Sequence, residues 1–332
     1  MKKAKIILFI LLLGMLLSSY SFGQSFSKVG QAGATFLKVE VGARGVAMGG
    51  SQAAAVNDAS ALFWNPAGIA FLSKNSFHYT YNQWIADISH SFVAFALPLG
   101  NMGSVGLSFT SLAYGDMEET TITNPDGTGN MFGANDFAVG VSYARQLTDR
   151  FFTGITVKFV RQKVWDLTAS GICFDFGTVF KTPFQGVSLG MVITNFGQNL
   201  AFDGQQLIRK DKEFNDITMT SRYETEGYQL PVAFKFGVSY EAIRSDMNTL
   251  LIAIDGVHPN DNVEYVNVGA EYLWSRTVAL RGGYKMNTDI QGLSAGAGFN
   301  MSFGGVITKI DYAYSAMEFF DSVHRFSVGI DF

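Results

Sequence analysis

Four histidines, one cysteine, many serines and a glycine-rich stretch are the residues whose chemistry must be weighed first. His78, His90, His258 and His324 are scattered, and none has the H-E-x-x-H spacing that puts two imidazoles and a general base around a zinc ion. Cys173 is the sole cysteine, which excludes an intrachain disulfide or a thiolate metal cluster; a small, fairly apolar residue buried in a strand is its expected state. The serines show no nucleophile-elbow pattern. Residues 42–50 are glycine-rich but lack the G-x-x-x-x-G-K-[ST] spacing, and no βαβ unit surrounds them to hold a nucleotide phosphate. No cofactor, no metal and no catalytic residue is therefore expected, and the chain is read as having no reaction of its own.

What remains is contact chemistry. Asp116, Glu118 and Glu119 fall in one long connection, 114–134, and Arg209, Lys210, Lys212 and Arg222 fall in another, 198–227. Charges crowded into long exposed segments suit recognition of another protein, and connections of such length are more often functional or disordered than neutral. Nucleic acid is excluded as a partner. Removing a leader leaves 21 basic against 28 acidic residues, a poor balance for neutralising phosphates.

The elements that must position these residues are strands. Residues 1–23 read as a signal peptide: Lys2, Lys3 and Lys5 precede twelve apolar residues, and Ser21 and Gly23 supply a small-residue cleavage site. Twelve residues are too few for a membrane-crossing helix, which needs about 20. From residue 75 onward, segments alternate polar and apolar with period two. Phe326, Val328, Ile330 and Phe332 share one face of the last segment, and Arg325, Ser327, Gly329 and Asp331 share the other. A strand with one apolar face, one charged face and a terminal phenylalanine suits a closed barrel in lipid and resembles an outer-membrane sorting signal.

Fourteen such segments are predicted, giving an all-β, 14-stranded antiparallel transmembrane barrel over residues 75–332. Even-numbered connections are short, and the two longest both follow odd-numbered strands, so both lie at one end. Closure is obligatory, because each unpaired amide in hydrocarbon costs on the order of several kcal/mol; the first strand must pair with the last. About eight strands already give a lumen that side chains can fill, so fourteen need something more inside. Residues 24–74 do not alternate and are rich in small residues, and they are read as a plug. Asp58 is expected to cap a short helix over 59–64, which Asn65-Pro66 would stop. Inward charges Lys158, Asp175, Lys235, Glu271, Arg281, Lys309, Asp311, Arg325 and Asp331 are expected to pair across strands or with the plug, where Arg44 is one candidate partner.

The plug segment also carries a resemblance. Gly42-Ala43-Arg44, Met48-Gly49-Gly50, Asp58-Ala59-Ser60-Ala61 and Trp64-Asn65-Pro66-Ala67-Gly68 resemble the amino-terminal signature of the PorV/PorQ family, within the wider FadL-like group of outer-membrane barrels. Residues 188–197, 280–284, 311–315 and 324–327 extend the match over the whole mature chain. That resemblance implies a bacterial outer-membrane location and a cargo-binding adaptor of type IX protein secretion and surface attachment. The implied partners are outer-membrane lipid, secreted proteins with a carboxy-terminal signal domain, and translocon or attachment components. The alternative it leaves is a FadL-like transporter of hydrophobic small molecules.

Overall fold

A computed structural model describes residues 29–85, 88–210 and 220–332. The signal peptide, residues 24–28 of the plug segment and Lys212 lie outside the described residues. Fourteen antiparallel strands close into one barrel. In chain order they are β1 (Ser76–Gln83), β2 (Ser89–Pro98), β3 (Ser104–Glu118), β4 (Met131–Thr148), β5 (Phe151–Val164), β6 (Leu167–Lys181) and β7 (Val187–Gly197). After a two-stranded hairpin, β8 (Ile208–Lys210) and β9 (Thr220–Arg222), the wall resumes with β10 (Ala233–Arg244), β11 (Asn248–Pro259), β12 (Tyr265–Trp274) and β13 (Val278–Met286). It ends with β14 (Gln291–Phe303), β15 (Val306–Met317) and β16 (Val323–Asp331).

Closure follows the predicted pairing. Phe77 faces Ile330, Tyr79 faces Val328 and Tyr81 faces Phe326 across β1 and β16. The period-two pattern fixes which side of each strand looks inward, because a one-residue slip would exchange the faces. Phe326 is 58% exposed on the outer surface while its neighbour Arg325 is 1% exposed inside. Phe234, Phe236 and Tyr240 point outward from β10, with Gly237 and Ser239 inward.

The two long connections differ from expectation. β3 continues to Glu118 and β4 begins at Met131, so the first is a projecting hairpin whose connection spans only residues 119–130. Asp116 and Glu118 are therefore strand residues rather than loop residues. Alternating pairing persists past the apolar band because Asp116 opposes Gly133 and Glu118 opposes Met131, after a bulge. In the second connection the wall resumes at Ala233, later than the predicted 228, because Leu200 and Tyr228 exchange backbone hydrogen bonds and hold the chain across the barrel end.

Inside the barrel lies most of residues 32–71, with short helices at Ala43–Ala47 and Ala61–Trp64 and 3-10 turns at Thr35–Lys38 and Pro66–Phe71. Its backbone bonds to inward side chains on widely separated strands. Gly42 N–H donates to Thr80 Oγ1 of β1 at 3.1 Å, Ala43 N–H to Ser327 Oγ of β16 at 3.1 Å, and Ala53 N–H to Asp255 Oδ2 of β11 at 2.8 Å. Ser294 Oγ of β14 donates to the Ala47 carbonyl at 3.3 Å, and Asn65 Nδ2 donates to the Thr178 carbonyl of β6 at 3.1 Å. A segment bonded to the wall on so many sides can only occupy the lumen.

Candidate functional site

The lumenal segment is assembled by local rules. Gly42, at φ 74°, starts the helix Ala43–Ala47, and Gly49 and Gly50, at φ 65° and 81°, end it. Gly50 N–H bonds the Gly45 carbonyl and Gly49 N–H bonds the Val46 carbonyl, both at 2.9 Å, which is a Schellman turn. The turn lies against the wall where β13 carries Gly283: a Cβ there would run into the Gly49 backbone. Met48 is fully buried beside it.

Asp58 differs in detail from the predicted helix cap. Its Oδ1 accepts from Ser60 N–H at 2.9 Å and Ser60 Oγ at 2.5 Å, three residues ahead of the helix that starts at Ala61. The short acid closes a local turn because its own backbone carbonyl already takes the Ala61 N–H. Asn65 stops the helix as expected. It is extended, accepts from Ala67 N–H at 3.1 Å and leads into Pro66 at the first position of the next turn. Trp64 donates its indole N–H to the Val41 carbonyl at 3.1 Å. Gly68 packs where any Cβ would crowd Ala61 and Val56.

Arg44 anchors this assembly electrostatically. Its Nε and Nη2 donate to Glu271 Oε2 and Oε1 of β12, both at 2.9 Å. Glu271 Oε2 also takes Arg281 Nε of β13 at 2.6 Å, and Arg281 Nη1 reaches Asp311 Oδ1 of β15 at 2.6 Å. Two cations and two anions thus alternate from the segment into three wall strands. Burial alone would lower the Arg44 pKa, but the Glu271 charge and hydrogen bonds outweigh it and hold the guanidinium above its ordinary value.

Other inward charges pair as expected: Lys158 with Asp175 at 2.8 Å, and Lys309 with Asp331 at 2.7 Å. Lys235 and Arg325 form no ion pair among the described residues. They lie instead over indole rings, Lys235 at 5.2 Å from Trp64 and Arg325 at 5.1 Å from Trp84.

At the barrel end that carries the long connections, a cavity of about 460 Å³ lies above the lumenal segment. Lys38, Glu40, Lys158, Lys235, Asp261 and Lys285 give it a charged lining, with Phe63, Trp84 and Tyr265 among its apolar walls. Lys38 binds Asp261 of the β11–β12 connection at 2.5 Å and Lys285 of β13 binds Glu40 at 2.8 Å, so the segment is tied both to a connection and to the wall. The role of Lys38, Glu40, Asp261 and Lys285 was not legible in the sequence, because their partners lie far apart in the chain.

The predicted contact residues that the structure describes fall in two places, the tip of the β3–β4 hairpin and the β8–β9 pair. Glu118 accepts from Gly129 N–H at 3.0 Å, and Glu119 accepts from Thr128 Oγ1 at 3.1 Å and Asn130 Nδ2 at 2.9 Å, so both shape the hairpin tip. Asp116 is exposed on the strand below. Arg209 and Lys210 lie on β8, whose backbone pairs with β9, and Arg222 on β9 forms an ion pair with Asp203. The histidines also separate. His78 faces inward against Thr80 at 2.9 Å, whereas His324, on the neighbouring strand, faces outward against Tyr312 at 2.7 Å. Among the described residues no group of three or more His, Cys, Asp or Glu could hold a metal ion.

Residues 24–257 match the family model described as type IX secretion system protein PorV. Among solved structures, the monoaromatic hydrocarbon channel CymD aligns with TM-score 0.58 at 15% identity, covering 88% of this chain and 97% of that one. The Pseudomonas putida toluene transporter TodX aligns with TM-score 0.57 at 12% identity, over 88% and 97%. A Pseudomonas aeruginosa FadL homologue aligns with TM-score 0.55 at 12% identity, over 88% and 98%. No curated protein sequence matches the chain. At such identities the structural likeness establishes the FadL-like barrel fold.

Proposed function

The chain belongs to the PorV family of type IX secretion proteins and is a bacterial outer-membrane barrel; on that premise we propose that it acts as an adaptor, receiving secreted cargo at the long-loop end. In this reading residues 24–74 are a permanent plug, and the projecting β3–β4 hairpin with the 198–232 connection forms the cargo-facing surface. The partners are cargo signal domains and components of the translocon or attachment machinery.

The observation that carries the reading is the filled lumen. The segment is bonded to the wall by backbone hydrogen bonds and buried ion pairs, and Trp64, Phe36 and Leu62 are buried within it. A route for free diffusion has no place for that packing. A receptor whose business lies at its rim needs such a rigid floor.

Transport of hydrophobic molecules, which the printed names of CymD and TodX describe for those proteins, stands second here. The cavity is lined by four lysines and three acids, which an aromatic hydrocarbon could not hydrogen-bond. Robust uptake of labelled fatty acid by proteoliposomes would reverse that order.

The adaptor reading is tested by replacing residues 208–222 with a short Gly-Ser turn. This removes β8 and β9 and leaves buried Leu200 and Leu230 in place. Barrel assembly should be unchanged, and co-purification of secreted cargo from native membranes should fall at least tenfold. Normal cargo capture and surface attachment in that variant would refute the placement of the cargo surface.

A further inference from the structure

One row of inward residues sits apart from the ion-pair network. In register, His90 of β2 lies beside Asn82 of β1, which lies beside Arg325 of β16. All three side chains are essentially fully buried. Both ring nitrogens of His90, both amide atoms of Asn82, and Nε and Nη2 of Arg325 lack a hydrogen-bond partner among the described residues. So many orphaned polar atoms in one place are unusual, because buried polar groups are nearly always hydrogen-bonded.

The orientation of Arg325 is informative. Its Nη1 donates to Ser315 Oγ at 3.1 Å, and the Trp84 ring covers the guanidinium plane at 5.1 Å. The open edge is therefore Nε with Nη2, the side along which a guanidinium takes both oxygens of a carboxylate. Among the described residues no carboxylate meets that edge. Trp84 also lines the long-loop cavity, so displacement of one side chain would connect the row to that cavity.

We propose that Arg325, Asn82 and His90 form a binding site for a single carboxylate group, gripped by the Arg325 fork, with Asn82 Nδ2 and a His90 N–H as flanking donors and Trp84 as its cover. A bound carboxylate supplies a counter-charge that the buried guanidinium does not find among the described residues, and it satisfies four orphaned donors at once. Lysine at 325 would keep the charge and lose the paired donors.

Equilibrium dialysis of the full chain, folded in detergent, against radiolabelled acetate tests this directly. Folding of each variant is followed by the faster gel migration of an unheated barrel. Wild type should bind one acetate per chain saturably. Arg325→Lys should bind about tenfold more weakly, Asn82→Ala several-fold more weakly, and Arg325→Gln not at all. If Arg325→Gln fails to fold, the Lys and Asn82→Ala variants carry the comparison. Absence of saturable binding in wild type, or equal binding in wild type and Arg325→Lys, overturns the site. A parallel titration with inorganic phosphate separates the anion classes: saturable phosphate binding without acetate binding overturns the carboxylate assignment.

Discussion

Replacing Arg44 with alanine tests the anchoring of the lumenal segment most directly. The substitution removes two of the three donors to Glu271, leaves Glu271 Oε1 without Arg44 Nη2, and changes a balanced set of two cations and two anions into one with a net charge of −1. Breaking a buried pair by deleting one partner costs about 3–5 kcal/mol. Arg281 still holds Glu271 Oε2 at 2.6 Å, so the lower end applies, about 3 kcal/mol. Each 1.4 kcal/mol is a factor of ten, so the ratio of docked to displaced segment should fall on the order of 100-fold. The wall strands keep their own hydrogen bonds, and the barrel itself should survive.

The assay is paired. Planar-bilayer recording should show frequent open events in Arg44→Ala where wild type is nearly silent. Limited proteolysis should cut within residues 24–74 of the variant while leaving the wall intact. Adding Glu271→Gln removes the orphaned charge and should recover most of the loss. Wild-type conductance and protease resistance in Arg44→Ala, or a double variant as leaky as the single one, would refute the electrostatic anchor.

The remaining predictions concern close packing and acid. Gly283→Ala should destabilise the docked segment by about 1–3 kcal/mol, because the added methyl meets the Gly49 backbone, which cannot yield; Gly282→Ala, with nothing within 4 Å of its Cβ, is the matched control and should be silent in the same bilayer recording. Burial alone would raise the Asp58 pKa, but the nearby charges of His78, Lys309 and Arg44 and the Ser60 hydrogen bond outweigh it and hold the carboxyl well below the usual carboxylate range. Its stabilising contribution is therefore complete above the ordinary carboxylate pKa, about 4, and is lost as pH falls through the lower folded value. Acid titration of protease resistance should show that loss, and Asp58→Asn should flatten the acid limb; an unchanged acid limb would remove Asp58 from the anchor.

How much was legible in the sequence depended on whether the cause was periodic. The alternation of Phe326, Val328, Ile330 and Phe332 with Arg325, Ser327, Gly329 and Asp331 assigned both faces of the last strand, and the same rule located fourteen strands and the seam between β1 and β16. Where that rule ends, so did the prediction. β3 and β4 run on past the apolar band as a paired hairpin, with Asp116 and Glu118 on a strand, because backbone pairing needs no apolar face once water replaces lipid. Leu200, Tyr228 and Leu230 of the second connection turn inward because they find a buried cluster with Phe36 and Leu112, residues remote in the chain.

The sequence by itself determined that the chain closes into a barrel, which residues look inward, and that a small-residue segment precedes it. Those are consequences of a two-residue repeat and of the cost of unpaired amides in lipid. Only the tertiary structure decided which inward charges meet. Arg44 is 227 residues from Glu271, and Arg325 faces Asn82 and His90 rather than an acid. Spacing along a strand fixes a side chain's face, but its partner depends on register around the whole ring and on the path of the segment within it.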